Sequence, residues 1–151
     1  MATTVTAATL TVNIQESITL NGVTYDKTTT KSIASVANYH SRVVQLKAST
    51  THTVVSLASD PSNANFDSDD FKYMRITNLD DTNAVQLNLT DASDATVAIE
   101  IGAGNSFTLF DTSIDGNASG NAITTTPHTI ESVVLVTPAA EVDVEIVVAT
   151  V

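Results

Sequence analysis

The sequence predicts an all-β protein: a two-sheet antiparallel sandwich of jelly-roll-like architecture, with an immunoglobulin-like sandwich as the alternative. Three observations carry that expectation. Apolar and polar residues alternate with a period of two in segment after segment, the period of a strand with one face covered. Charged residues make up only 15% of the chain, and Thr, Ser and Asn occupy places that Lys, Glu and Arg would hold in a helical protein. Clusters of Asn, Asp, Gly, Pro and Ser interrupt the alternation at short intervals, with none of the strand–helix rhythm of an α/β fold. About eight to ten short strands at that spacing suit a sandwich, and a long polar crossover at 111–128 tips the choice towards a jelly roll.

The first strand is read from Leu10, Val12 and Ile14, which alternate with Thr9, Thr11, Asn13 and Gln15 as in a half-buried strand. Ile18 and Leu20 continue it into Asn21-Gly22, and Val23 and Tyr25 follow. Asn-Gly between alternating runs signals a two-residue hairpin, because both residues tolerate positive φ. Residues 26–41 are read as irregular or strand, since a Thr run and β-branched residues outweigh a weak helical spacing of Ile33, Val36, Ala37 and His40.

Strands are expected at 43–48 and 53–59, joined by the hairpin-length link Ser49 to His52. Residues 60–70 read as a loop of Pro, Asn, Ser and Asp. The stretch FKYMRITNLDDTNAVQLNLT (71–90) follows, with Met74 and Ile76 on one face and Val85, Leu87 and Leu89 on another. Its Asn78–Asn83 connection is read as a hairpin turn. Val97, Ile99 and Ile101 form the next strand, and Gly102 to Asn105 turns into Phe107 and Leu109. Residues 130–136 are apolar on both faces, as in a central strand. Val142, Val144, Ile146 and Val148 alternate with Glu141, Asp143 and Glu145 as an amphipathic strand.

The 151 residues fit one domain spanning 1–151, large enough to bury roughly 70% of its unfolded surface without staples. Met1 to Ala8 is either a partner-binding arm or a frayed terminus. With no Cys, disulfides, thiolate zinc sites and a Cys nucleophile are excluded together. A net charge of −11 without a basic stripe argues against nucleic acid and against anionic membrane surfaces. No basic, apolar leader precedes Leu10, and no window has the ~20 apolar residues of a membrane span. Synthesis as a soluble cytoplasmic product is expected.

Candidate chemistry is sparse. His40, His52 and His128 lack the spacing of zinc ligands and read as loop histidines. There is no G-x-S-x-G elbow, and Gly102-Ala103-Gly104 reads as a turn rather than a dinucleotide fingerprint. The absence of Trp leaves a sugar-stacking cleft poorly supplied. Asp80, Asp81 and Asn83, or Asp67, Asp69 and Asp70, offer oxygen ligands of the kind calcium takes, but neither group has the EF-hand glycine and terminal Glu. They are read as solvated loop acids. Catalytic residues, a cofactor and a metal are therefore not expected. The sequons at Asn88 and Asn117 carry no consequence in a chain without a secretory signal.

Three pieces in the C-terminal half, YMRITNLDDTNAVQLNL, AIEIGAGNSFTLF and EVDVEIVVATV, resemble small β-sandwich virion proteins of marine tailed bacteriophages. The resemblance implies a non-enzymatic structural component of a phage particle. The expected role is a decoration or cement protein on the outer capsid surface, a homotrimer whose partner is the major capsid protein. A receptor- or carbohydrate-binding module of a tail fibre or spike, and a jelly-roll coat protein, are the alternatives.

Overall fold

In the computed structural model, residues 5–59, 65–110, 113–114 and 128–151 are described. The first four residues of the expected arm, most of the 111–128 crossover with its sequon at Asn117, and residues 60–64 lie outside the described residues. The strands in chain order are β1 (Ala8–Leu20), β2 (Val23–Val36), β3 (Asn38–Leu46), β4 (Thr51–Ala58), β5 (Phe66–Asp67) and β6 (Phe71–Asn78). They continue as β7 (Val85–Asp91), β8 (Thr96–Ile101), β9 (Ser106–Leu109), β10 (Ser113–Ile114), β11 (His128–Val136) and β12 (Val142–Thr150). The chain is all-β, as its composition predicts.

The chain divides into two compact units, the β1–β2 hairpin and the segment Tyr39–Thr150. Within the second unit, one sheet has the order β3-β12-β6-β9. The other runs β5-β4-β11-β7-β8, with β10 added to β11. Both sheets contribute to one hydrophobic core. Leu46, Met74, Ile76, Val144 and Ile146 come from the first, and Val55, Leu87, Leu89, Val133 and Leu135 from the second.

The strand order is that of a jelly roll. β3 neighbours β12, β4 pairs with β11, β6 with β9 and β7 with β8. These are four nested pairs, the last three antiparallel, as though one long hairpin had been folded over itself into two sheets. The chain changes sheets at β3–β4, β6–β7, β8–β9 and β11–β12, and again between β5 and β6 and between β9 and β10, so that β7–β8 is the one tight hairpin within the sandwich sheets among the described residues.

Two sequence-based expectations are corrected here. Ser49 to His52 and Asn78 to Asn83 have hairpin length and turn chemistry, yet each is an arch between sheets, since β3 and β4 do not pair, nor do β6 and β7. Turn residues reverse the chain equally well within a sheet or between two sheets, and only the partner strands decide which.

Burial follows the alternation where a second layer exists. β7 reads buried, exposed, buried along Val85, Gln86 and Leu87, and Leu135 of central β11 is fully buried. Val134 and Val136, on the other face of β11, are half-buried, as expected of a strand apolar on both sides. β12 departs from simple amphipathicity: Val147 and Ala149 are buried as well as Val144, Ile146 and Val148. They stand opposite Arg75 and Tyr73 on β6, where the Tyr73 and Phe110 rings lie 5.3 Å apart.

The β1–β2 hairpin is built as its sequence indicates. Asn21 and Gly22 have φ of 51° and 79°, the positive pair that a two-residue primed turn needs, and Leu20 stands opposite Val23. Residues 23–36 are strand throughout, which resolves the segment left open between irregular and extended structure. The half-burial expected along the hairpin is not found towards its tip. Ile14, Ile18, Leu20, Val23 and Tyr25 are all exposed, at 49–59% of their full surface.

Candidate functional site

Four of the sheet crossings, the β3–β4, β6–β7, β8–β9 and β11–β12 arches, meet at one end of the sandwich. The register requires it: Asn78 lies opposite Val144, Thr77 opposite Ser106, Val85 opposite Ile101, and Val136 opposite both Gln86 and Thr51. Backbone hydrogen bonds then tie arch to arch. Ser49 N–H donates to the Pro138 carbonyl at 2.7 Å and Thr137 N–H to Thr50 at 3.1 Å. Leu79 N–H donates to Asp143 at 2.8 Å, and Gly104 N–H to Asp80 at 3.1 Å.

Asn78 is the centre of the second and third arches. It is fully buried, and its Nδ2 donates to the Asn83 carbonyl at 2.8 Å and to the Ile101 carbonyl at 3.1 Å. Its Oδ1 accepts from Asp80 N–H at 3.0 Å, and its own N–H donates to Asn105 at 2.9 Å. A buried amide with these polar atoms satisfied fixes a unique geometry, where a half-satisfied one would destabilise it.

Asp80 is committed in the same way. Its Oδ1 accepts from Thr82 N–H at 2.8 Å, Asn83 N–H at 2.6 Å and Asn83 Nδ2 at 3.2 Å. These donors, the Asn83 backbone N–H first and that of Thr82 second, hold the Asp80 carboxyl below its usual pKa by stabilising the charged form. Asp81 Oδ1 accepts from Thr82 Oγ1 at 3.0 Å.

The calcium candidates Asp80, Asp81 and Asn83 thus sit together in one arch. Two of them are joined to each other, and one carboxylate oxygen is turned inward onto backbone N–H groups. Asp67 Oδ1 likewise accepts from Asp69 N–H at 2.9 Å. Among the described residues no three or more of His, Asp and Glu gather as a metal site would require.

The histidines are not brought together. His40 is on β3, with its ring edge against Phe66 at 5.1 Å. His52 is on β4, with Nε2 2.5 Å from Thr50 Oγ1. His128 is on β11, opposite Ile114. Gly102 to Asn105 is the turn expected, with Gly104 at φ 70° and Asn105 N–H donating to Gly102 at 3.1 Å.

Beside the arches, on the β7–β8 side of the second sheet, lies an open depression of about 560 Å³. Asn83, Gln86 and Glu100 supply its polar wall, and Ile99, Val136 and Pro138 its apolar one. On the first sheet, Arg75 Nη2 pairs with Glu145 Oε2 at 2.7 Å, and Arg75 Nη1 donates to Thr77 Oγ1 at 2.7 Å.

Sequence reasoning read Asn78 as one end of a turn and passed over Thr137 and Asp91, and all three organise this molecule. Thr137 is buried, and its hydroxyl donates to the Lys47 carbonyl at 2.5 Å while accepting from Thr50 N–H at 3.2 Å, which joins the first and fourth arches. Asp91 is fully buried at the β7–β8 turn, where its Oδ1 accepts from Ser93 N–H at 2.8 Å, Ser93 Oγ at 2.7 Å and Ala95 N–H at 3.0 Å. The signal available was positional: each is a small polar residue at the end of an alternating run, where a side chain can cap loose backbone groups.

Compared with models of protein families and with curated proteins, the chain matches none.

Proposed function

We propose that this chain is a non-enzymatic structural protein of a phage particle, a decoration or cement protein that binds the outer face of the capsid shell and assembles with copies of itself. The observation that carries the reading is the use made of polar groups at the arch end of the jelly roll. Asn78, Asp80 and Thr137 spend their hydrogen bonds on the protein's own backbone. Such a module is rigid and presents surfaces rather than reagents. The resemblance of residues 73–89, 98–110 and 141–151 to phage virion proteins points the same way.

The physics of the role fits. A cement protein stabilises a shell by binding its assembled state, so that its effect follows mass action. The net charge of −11 keeps the free protein soluble before it meets the shell. The test is co-sedimentation of purified protein with capsids of the encoding phage that have been stripped of it. Saturable binding and a raised disruption temperature are expected; no binding at saturating protein contradicts the reading.

The open depression favours one second reading, a receptor- or carbohydrate-binding module of a tail fibre or spike. Its Asn83, Gln86 and Glu100 groups beside Ile99 and Val136 offer the mixed wall that a glycan's hydroxyls and ring face require. Binding on a glycan array that is lost in Glu100→Ala and Gln86→Ala would favour it over the shell.

A further inference from the structure

We infer that the exposed face of the β1–β2 hairpin is a self-association surface, covered by the same face of other copies of this chain. In the hairpin register, Ile14, Glu16, Ile18 and Leu20 of β1 stand opposite Thr29, Lys27, Tyr25 and Val23 of β2, so these eight side chains share one face. The other face is polar from end to end: Asn13 with Thr30, Gln15 with Thr28, Ser17 with Asp26, Thr19 with Thr24. Ser17 Oγ donates to Asp26 Oδ1 at 2.5 Å and Thr30 Oγ1 to Asn13 Oδ1 at 2.8 Å. That polar face is finished for water. The apolar one is not, with Ile14, Ile18, Leu20, Val23 and Tyr25 each at least 49% exposed.

A two-stranded ribbon of this length is marginal in water by itself and gains stability from a layer on its apolar face. The exposed Ile14–Leu20 run spans about 20 Å at ~3.4 Å per residue, and two strands with their side chains are about 10 Å wide. A contiguous exposed apolar strip of this kind marks an interaction site.

Charge selects a copy of this chain as the occupant. Residues 1–38 contain Glu16 and Asp26 against Lys27 and Lys31, a balance of zero, so the whole net charge of −11 belongs to residues 39–151. Copies that met through that remainder would bring like charges together, whereas the hairpin meets its own kind without repulsion. The face is also self-complementary. Glu16 and Lys27 sit side by side in the middle of the apolar strip, so in a face-to-face contact about a two-fold axis along the strands the Glu16 of one copy comes against the Lys27 of the next.

This deepens the self-assembly part of the proposed function and rests on it, but not on attachment to a shell. The test is the mass of the full chain in solution by light scattering, across the micromolar range. Wild type is expected at two or more times the chain mass. Ile14→Thr/Ile18→Thr, which keeps β-branched residues in the strand, is expected at the mass of one chain with its melting temperature within a few degrees of wild type.

Glu16→Lys tests the charge step: it is expected to dissociate the assembly at low salt, and adding Lys27→Glu to the same chain to restore it. Wild type at the mass of one chain overturns the inference, as does an Ile14→Thr/Ile18→Thr variant that keeps the wild-type mass, or failure of the double charge swap to restore association. Co-sedimentation separates the two proposals. An assembled protein that ignores shells retains this interface and removes the cement reading, while a one-chain species that binds shells does the reverse.

Discussion

At the scale of residues, the molecule turns on a few buried polar side chains that secure backbone where the sheets change over. Asn78 donates to two carbonyls, a buried one of Ile101 and a part-buried one of Asn83. Asn78→Ala strands both, and is expected to cost about 3 kcal/mol, since each unsatisfied buried polar group costs roughly 1–3 kcal/mol; a fall in melting temperature of several degrees checks this. Asp80 makes a pH-dependent contribution. Its pKa is lowered in the folded state, so the stabilisation is present above the unfolded carboxylate pKa and is lost as pH falls through the folded value. The difference in melting temperature between wild type and Asp80→Asn is therefore expected to be constant at neutral pH and to narrow as the pH falls below the unfolded carboxylate range and through the lowered folded value. With the Asp80 oxygen occupied by N–H donors, millimolar calcium is expected to leave the melting temperature unchanged; a rise of several degrees would show that Asp80, Asp81 and Asn83 reorganise around the ion.

At the scale of elements, what was legible in the sequence and what was not divide along one line. Alternation is local, and it located the strands: Leu10 to Leu20, Val85 to Leu89 and Val142 to Val148 are strands as read. Turn chemistry is local too, and Asn21-Gly22 has the positive φ pair its sequence implies. Gly22→Ala is accordingly expected to cost the hairpin about 1 kcal/mol, seen as faster hydrogen exchange of β1 and β2 amides while β11 and β12 are unaffected. Which strand pairs with which is not local. The Asn78–Asn83 arch has the residues of a hairpin turn, and only the pairing of β6 with β9 and β12 shows that it crosses between sheets. Burial is not local either. Ile14 and Ile18 alternate as regularly as Leu87 and Leu89, yet the first pair is exposed and the second is not. The candidate site was half visible: Asp80, Asp81 and Asn83 stood out as acids and amides and Asn78 as the start of their turn, while the burial of Asn78 and the role of Thr137 did not.

At the scale of the whole molecule, the two sheets share one core, and the chain's net charge lies outside the hairpin. Truncating the core is expected to destabilise the sandwich as a unit: Leu87→Ala should cost about 2–5 kcal/mol, against little or nothing for Ile18→Thr under conditions where the chain is monomeric. The proposed function is that this acidic jelly roll, preceded by a neutral hairpin, is placed on a larger assembly. Electron microscopy of particles from the encoding phage tests that claim most directly. The account predicts density for the jelly roll on the outer surface of the head, in many copies, with hairpins of adjacent copies in contact. Particles whose heads lack that density, with the protein on the tail tip or absent from the virion, would contradict it.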